Sequence, residues 1–280
     1  MHRKDRDHGS GRPHSVAAPV RTLAVILAGG TGQRVGSAIP KQLIEVAGRP
    51  ILSYAIEAFD TFPQGRDCAD TLPEGEDPAS QGEHRASQGI DEIIVVMAPG
   101  WADAARTIAA PYGRVSAVIE GGASRTESTV RALTALAAEP DDARVLFHDA
   151  ARPFVGHDVI GRCLTALGSY EAVAVGMPVA DTIVEVSGEL VTAMPARSGL
   201  RRFQTPQGFR LGTIRKAYEL ALADDAGPLR HGSATDDCGI VHRYLPDVPI
   251  PVVEGSERNL KVTHPMDVAI AEHLAGHPPL

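Results

Sequence analysis

The chain has 280 residues, of which 43% are hydrophobic, and a formal net charge of −8. This length and apolar content are enough to bury one large core or two modest ones. The negative charge argues against a general nucleic-acid binder, and no apolar run approaches the ~18 residues that cross a membrane. We therefore expect neither nucleic acid nor a membrane as a partner.

The N-terminal stretch, residues 1–20, is charged and lacks the apolar segment of a secretory signal, so we expect a disordered tail there. The cysteines are Cys68, Cys163 and Cys238. They are far apart and have no CxxC spacing, which indicates neither a disulfide framework nor a zinc site. A reducing, cytoplasmic location fits this cysteine usage.

Short aliphatic strands alternate with amphipathic helices along the first two thirds of the chain. Strands are predicted at 22–29, 90–100 and 115–122, from 143 onwards, and at 171–180. Helices are predicted at 50–62, 101–112, 124–139 and 157–169, with Ser124 as the cap of the third. Continuous apolar strands separated by helices are typical of a parallel sheet covered on both faces. The predicted fold class is α/β, with a mostly parallel sheet flanked by helices.

This regularity breaks in two places. Residues 180–200 contain two β-rich runs around Ser187-Gly188, which predict a hairpin that either forms a sheet edge or projects from the domain. Residues 63–89 are rich in Pro, Gly, Asp and Glu, which indicates a flexible surface insertion. After the hairpin, a helix is predicted at 211–225, a last strand with a loop within 250–263, and a closing helix from 264.

A glycine-rich loop follows the first strand. Gly29, Gly30 and Gly32 allow backbone amides to approach an anion closely. Their spacing does not match the dinucleotide fingerprint G-x-G-x-x-G, and the loop lacks the G-K-[ST] of a Walker motif. Arg34 and Lys41 in the same segment are donors that suit a triphosphate. The alternative is a tight turn whose charges are solvated.

Two further motifs follow predicted strands, where open α/β sheets bind their ligands. In EGGASRTEST, Gly122 and Ser128 offer an amide and a hydroxyl, and the alternative is an ordinary helix cap and turn. In HDAARPF, Asp149 can hold a divalent ion between phosphates, and Arg152 can bind a second anion. The alternative is a buried ion pair between Asp149 and Arg152, and His148 alone favours a structural role.

Phosphate-binding chemistry is also indicated near the C-terminus. Three arginines in PARSGLRRFQTPQGF, with Thr205 and Thr235, suit a phosphate pocket. The TPQ segment can equally be a loop entry, and Asp236 can simply cap a helix. Lys261 in NLKVT stands at a strand boundary where it can meet a phosphate.

The order and spacing of LAGGTGQR, PKQ, EGGASRTEST, HDAARPF, PVADT, QTPQ, TDD and NLKVT resemble those of the 2-C-methyl-D-erythritol 4-phosphate cytidylyltransferases. The resemblance covers a domain at about 21–275. It implies transfer of CMP from CTP to a polyol phosphate, 2-C-methyl-D-erythritol 4-phosphate, with Mg²⁺ as the cofactor. It also implies a Rossmann-like domain in a homodimer, with the 180–200 hairpin as the arm that embraces the partner.

The resemblance also assigns roles to residues. The catalytic residues that it implies are Arg34, Lys41 and Lys261, and the metal residue is Asp149. The substrate-binding residues that it implies are Ala28, Gly29, Gly30, Gly122, Ser128, Ala150, Arg152, Thr182, Arg197, Thr205 and Thr235, with Thr182 and Arg197 on the arm. The chain departs from the family pattern at Gly29, where alanine is frequent, at Val184, where lysine is usual, and at His242 in place of a glutamate.

Two other functions compete with this one. A cytidylyltransferase for another polyol phosphate, such as ribitol 5-phosphate, shares the CTP half of the site and differs at the acceptor pocket. A non-catalytic nucleotide-binding regulatory protein is the second alternative. Retention of Arg34, Lys41, Asp149 and Lys261 argues against it, because a protein that only binds nucleotide does not need charges at the reacting phosphates.

Overall fold

The computed structural model describes residues 20–30, 39–64, 89–225, 227 and 236–277. The expected tail, most of the expected 63–89 insertion, and the predicted site residues Arg34 and Thr235 lie outside the described residues. The two ends of that insertion meet, because Gln64 Nε2 donates to Ile90 O at 2.7 Å.

The described residues form strands and helices in alternation. The strands are β1 Thr22–Ala28, β2 Glu45–Val46, β3 Arg49–Pro50, β4 Glu92–Met97, β5 Val115–Glu120, β6 Arg144–Asp149, β7 Ala172–Pro178, β8 Glu185–Ser187, β9 Leu190–Ala193, β10 Arg201–Arg210 and β11 Val252–Glu254. The helices are α1 Ile51–Asp60, α2 Ala102–Ala109, α3 Arg125–Ala135, α4 His157–Ala166, α5 Leu211–Ala223, α6 Asp237–Tyr244 and α7 Pro265–Gly276.

A seven-stranded sheet with the order β11-β7-β10-β6-β1-β4-β5 organises the fold. Its strands pair in parallel, except that β10 runs antiparallel to both β6 and β7. The prediction of a mostly parallel α/β sheet flanked by helices is therefore confirmed. In this arrangement β1, β4, β5 and β6 all end at the same edge of the sheet, which we call the carboxyl edge.

Both faces of the sheet are covered, which explains the continuous apolar strands. In β1, Ile26 packs into one core cluster with residues of α1, α2 and α4, while Val25 packs into a second cluster with residues of α3, α5 and α6. Each strand residue thus faces one helical layer or the other, and neither face needs polar side chains. Helix α7 packs separately, with Ala271 against Val46 and Val262.

Strand β10 differs from the sequence-based expectation for its segment, which considered only a phosphate pocket or a loop entry. Polar side chains of β10 are buried, including Gln204 and Gln207, and the pairing register with β7 shifts between Gln204 and Gly208. Pro206 lies within that irregularity, where a missing N–H is tolerated. A strand with proline, glycine and arginines has no apolar periodicity to reveal it.

The predicted hairpin is present as β8 and β9. Ser187 pairs with Leu190, so Gly188 and Glu189 form a two-residue turn, and Gly188 has a φ of 60°. Such turns require positive φ, which glycine adopts without strain. The hairpin pairs with no strand of the main sheet, and the side chains of both its strands are exposed. In the described part of the chain no helix is long and apolar enough to cross a membrane.

Candidate active site

The glycines that follow β1 and β5 lie against one hydroxyl at the carboxyl edge. A Cβ added to Gly29 would come within 2.7 Å of Ser128 Oγ, and one added to Gly121 would come within 2.6 Å of the same atom. Gly122 N donates to Ser128 Oγ at 3.2 Å. Glycine at position 29, a departure from the family pattern, therefore gives Ser128 its room. The predicted cluster of Gly29, Gly122 and Ser128 is brought together.

Helix α3 begins at this cluster. Ser124 Oγ accepts from Glu127 N at 3.0 Å, and Glu127 in turn accepts from Ala123 N at 2.9 Å. The predicted cap at Ser124 is thus present, and Glu127 binds the backbone N–H of the residue before the cap. The cap fixes where the helix starts, and thereby places Arg125 and Ser128 at the carboxyl edge.

Asp149, the last residue of β6, is the anionic centre of the site. Its Oδ1 accepts from Arg125 Nε at 3.1 Å and its Oδ2 from Lys261 Nζ at 2.6 Å. Burial alone would raise the pKa of Asp149, but the charge of Arg125, followed by that of Lys261, outweighs it and holds this pKa well below its usual range. The carboxylate is therefore ionised. The alternative of an Asp149–Arg152 ion pair is wrong, since the ion pairs of Asp149 are with other residues.

Lys41 lies in a short 3₁₀ helix, Lys41–Leu43, and is buried. Its Nζ donates to Val262 O at 2.8 Å, and its Cε lies 3.8 Å from the position of a Cβ added to Gly30. The alternative of a solvated charge is therefore wrong for Lys41. The Lys41 side chain therefore lies between Gly30 and the segment that carries Lys261.

Arg152 reaches across the same edge to two backbone carbonyls. Its Nη1 donates to Asn259 O at 2.7 Å and its Nη2 to Phe203 O at 3.3 Å, while its buried Nε has no hydrogen-bond partner among the described residues. Burial, opposed by Asp149 and reinforced by Arg202, lowers the pKa of Arg152. The half-buried guanidinium nevertheless keeps a positive charge at this edge, where it can attract an anion.

His148 and Thr205 form a hydrogen-bonded chain beneath Asp149. Thr205 Oγ1 accepts from Asp149 N at 3.0 Å and lies 3.1 Å from His148 Nδ1, and His148 Nε2 lies 2.9 Å from Arg152 O. These contacts are all satisfied if the Thr205 hydroxyl donates to Nδ1 and a neutral imidazole donates from Nε2. The structural role favoured for His148 fits this geometry, and Thr205 supports the backbone of Asp149.

This buried histidine makes stability depend on pH. Burial lowers the pKa of His148 from 6.5 to about 4, against the opposing effect of its bond to Arg152 O. Between these values the unfolded chain binds a proton that the folded chain does not. We expect the free energy of unfolding to fall by up to about 3 kcal/mol as the pH drops from 6.5 towards 4.

Urea unfolding at pH 7 and pH 5 measures this effect. His148→Gln keeps an amide that can both donate and accept, and should show a smaller loss of stability at pH 5 than the wild type. His242→Asn, at an exposed position of α6, serves as the matched control. An equal loss in His148→Gln and the wild type would contradict the prediction.

The remaining predicted residues occupy different surroundings. Ala28 and Ala150 are fully buried at the ends of β1 and β6, and the Ala150 N–H donates to Leu27 O at 2.9 Å. Thr182 is exposed at the base of the hairpin, and Arg197 Nη1 donates to Ala180 O at 3.0 Å. The hydrogen bonds and ion pairs of the described residues join neither of these arm residues to Asp149.

Two residues of the site were missed from the sequence, the half-buried Arg125 and the fully buried Asp237. Arg125 is the first residue of α3 and Asp237 the first of α6, and their side chains approach to 2.9 Å. One signal was available, because a cation in the first turn of a helix opposes the helix dipole and is stable there only with an anionic partner.

The alternative role of Asp236 as a helix cap is confirmed, since its Oδ1 accepts from Gly239 N at 2.7 Å.

The donor set fits a magnesium ion held largely by substrate. No group of three or more His, Cys, Asp or Glu side chains suited to a metal occurs among the described residues. Mg²⁺ in nucleotide sites takes one or two carboxylates and fills the rest with phosphates and water. The ionised Asp149 supplies such a carboxylate, and each of its oxygens can accept more than one bond.

Comparison with known families agrees with the resemblance in the sequence. A family model described as 2-C-methyl-D-erythritol 4-phosphate cytidylyltransferase matches residues 82–276. A second model, of the MobA-like NTP transferase domain, matches residues 24–69, which include the glycine-rich loop.

Individual relatives are similar over most of the chain. A 2-C-methyl-D-erythritol 4-phosphate cytidylyltransferase of Thermobifida fusca is 44% identical, over 91% of this chain and 93% of the relative. A bifunctional ribulose 5-phosphate reductase/CDP-ribitol pyrophosphorylase of Haemophilus influenzae is 34% identical over 91% of this chain, which spans 48% of that relative. A crystal structure of 4-diphosphocytidyl-2C-methyl-D-erythritol synthase from Anaerococcus prevotii has a TM-score of 0.72 at 26% identity, and the match covers 92% of this chain and 97% of that structure.

Proposed function

The chain belongs to the 2-C-methyl-D-erythritol 4-phosphate cytidylyltransferase family, and we propose that it transfers CMP from CTP to 2-C-methyl-D-erythritol 4-phosphate, releasing pyrophosphate. As a member of this family it is a nucleotidyltransferase enzyme. The products are 4-diphosphocytidyl-2-C-methyl-D-erythritol and pyrophosphate, so the enzyme contributes to isoprenoid precursor synthesis by the non-mevalonate route.

One observation carries the proposal for this site. The segment at 259–262 holds two lysines at the carboxyl edge. Lys261 Nζ donates to Asp149 Oδ2 at 2.6 Å, and Lys41 Nζ donates to Val262 O at 2.8 Å. Arg152 is tied to the same segment through Asn259 O. Three cations gathered by one short segment beside Asp149 suit a reaction between two phosphate-bearing anions, which repel each other unless positive groups hold them together.

In the reaction, an oxygen of the acceptor's 4-phosphate attacks the α-phosphorus of CTP and forms a new P–O bond. The bond from the α-phosphorus to the bridging oxygen breaks, and pyrophosphate leaves with that electron pair. We assign Lys41 and Arg34 to the triphosphate, where charge builds up on the leaving group. Lys261 and Arg152 hold the acceptor phosphate.

The other substrate contacts follow the carboxyl edge. The ends of β1 and β5, with Ala28, Gly29, Gly122 and Ser128, support the cytidine through backbone groups and one hydroxyl. Asp149 would hold Mg²⁺, which when bound would supply positive charge against the charge that develops on the phosphates. Asp149 also orients Lys261 until the acceptor phosphate is present.

Release of pyrophosphate tests the function and separates it from its competitors. The purified protein is given CTP and Mg²⁺ with 2-C-methyl-D-erythritol 4-phosphate or ribitol 5-phosphate. We expect release with the first acceptor. Release with ribitol 5-phosphate alone would favour the activity named in the Haemophilus influenzae relative, and CTP binding without release with either acceptor would favour a regulatory nucleotide-binding protein.

We further propose that the enzyme is a homodimer held by the hairpin of β8 and β9. Its apolar side chains are unusually exposed, with 60% of Val186, 75% of Leu190 and 70% of Met194 accessible. An apolar patch of this kind favours a protein partner, and a second copy would bring Thr182 and Arg197 of its own arm to the acceptor site.

The separate, buried thiols of Cys163 and Cys238 support a reducing cytoplasmic location.

Light scattering tests the dimer. Val186→Asp combined with Leu190→Asp places two charges on the apolar face of the hairpin, and we expect a monomer with strongly reduced activity. Val252→Asp, at another exposed apolar position, is the control and should remain dimeric. A dimer that persists with both hairpin charges in place would contradict the proposal.

A further inference from the structure

Four charges of alternating sign run from the protein interior to the candidate active site. Asp237 Oδ2 lies 2.9 Å from Arg125 Nη2, Arg125 Nε donates to Asp149 Oδ1 at 3.1 Å, and Lys261 Nζ donates to Asp149 Oδ2 at 2.6 Å. The first contact is an ion pair by distance, since neither atom makes a well-directed hydrogen bond. The chain of charges is electrically balanced, with two anions and two cations.

The inner end of this chain is rigidly held. Asp237 has no exposed surface, and its Oδ1 accepts from the Tyr218 hydroxyl at 2.6 Å and from Thr129 Oγ1 at 3.0 Å. Its backbone N–H donates to Gln207 Oε1 at 3.0 Å. A carboxylate enclosed in this way cannot contact a substrate. Its contribution to the site therefore has to pass through Arg125.

Arg125 occupies a position that is unfavourable without both carboxylates. It stands in the first turn of α3, where the helix dipole disfavours a cation, and it is largely buried, with 24% of its side chain exposed. The planar guanidinium faces Asp149 through Nε and Asp237 through Nη2. Two contacts from one rigid fork fix its plane as well as its position.

Lys261 is the other cation on Asp149, and it is better able to move. Its side chain is 39% exposed, and a lysine carries its charge on a flexible four-carbon stem. An arriving acceptor phosphate competes with Asp149 for this ammonium. If Lys261 were the sole partner of Asp149, its departure would leave the Asp149 carboxylate buried and unpaired. Such a state is strongly unfavourable. Arg125 removes that obstacle, because it stays on Asp149.

We propose that Arg125, anchored by the buried Asp237, is a positioning residue that holds the Asp149 carboxylate in place and so allows Lys261 to turn to the acceptor phosphate. The inference rests on the proposed transfer reaction. It assigns Arg125 and Asp237 no contact with the substrates.

A charge-balanced double variant separates positioning from a merely structural role. Arg125→Gln alone leaves Asp237 buried without a cation, so we expect its urea midpoint to fall. Arg125→Gln combined with Asp237→Asn removes both charges and should regain most of that midpoint. We expect the double variant still to show a kcat at least 10-fold below the wild type, a KM for CTP within about twofold, and a raised KM for the acceptor. Arg125→Lys, which retains a cation, should recover part of kcat.

Two results would overturn the inference. One is a double variant whose kcat returns to that of the wild type together with its urea midpoint, and the other is a loss confined to the KM for CTP. Wild-type turnover with 2-C-methyl-D-erythritol 4-phosphate is measured first, and its absence would count against the proposed function. The inference is judged separately, from the ratio of variant to wild type with the polyol phosphate that supports wild-type turnover.

Discussion

Replacement of Lys41 by alanine is expected to lower kcat about 10²–10³-fold, which corresponds to ~3–4 kcal/mol of transition-state stabilisation. Lys41 is buried between Gly30 and Val262, so its charge acts in a site of restricted solvent, where each donor has a large effect. Steady-state pyrophosphate release with saturating CTP and acceptor measures this loss. For Arg34→Ala, the sequence alone predicts a severe loss of turnover as well.

Two companion variants make the result for Lys41 interpretable. Lys41→Met keeps most of the aliphatic stem and removes only the ammonium, so it should fold normally and remain as inactive as Lys41→Ala. Lys216→Ala, which removes an exposed lysine paired with Glu219, should keep wild-type turnover. Near-normal kcat in Lys41→Met with an unchanged urea midpoint would exclude the assigned role.

Replacement of Lys261 by alanine is expected to lower kcat/KM for the acceptor about 10²-fold while the KM for CTP changes little. The ammonium of Lys261 pairs with Asp149, and we assign it to the acceptor phosphate, so its loss falls on the acceptor side. Asp149 keeps Arg125 as a partner in this variant, and the fold should therefore survive.

Comparing the KM for CTP with the KM for the acceptor in Lys261→Ala is the sharper test. Titration of each substrate at a saturating level of the other yields both KM values for Lys261→Ala, with Lys216→Ala again as the control. A rise in the KM for CTP that equals the rise for the acceptor would contradict the division between the two ends of the site.

Apolar strands and capped helices could be predicted because their causes are local. The run from Leu23 to Ala28 is buried on both faces, and such burial requires apolar residues at every position. Ser124 caps α3 through an atom three residues away. That the ends of β1 and β6 lie at one edge could likewise be predicted, since strand direction alone brings them together.

Strand β10 and the Asp237–Arg125 contact depend on distant partners, and this is why they could not be predicted. Gln207 is buried because its side chain binds the first turn of α6. Arg125 meets Asp237 across 112 positions of the chain, and no local periodicity records such a pairing. Buried polar groups of this kind are explained only when their partners are known.

The contact between Gln64 and Ile90 has a consequence for how this chain can be altered. The two strands of the sheet nearest to it, β1 and β4, pair along six consecutive positions from Leu23↔Glu92 to Ala28↔Met97, and none of these bonds uses the segment between Gln64 and Gly89. Loop length adds only a slowly growing entropic cost when the ends are already fixed. This point in the chain is therefore a suitable place to insert an affinity tag or a fluorescent reporter into the enzyme.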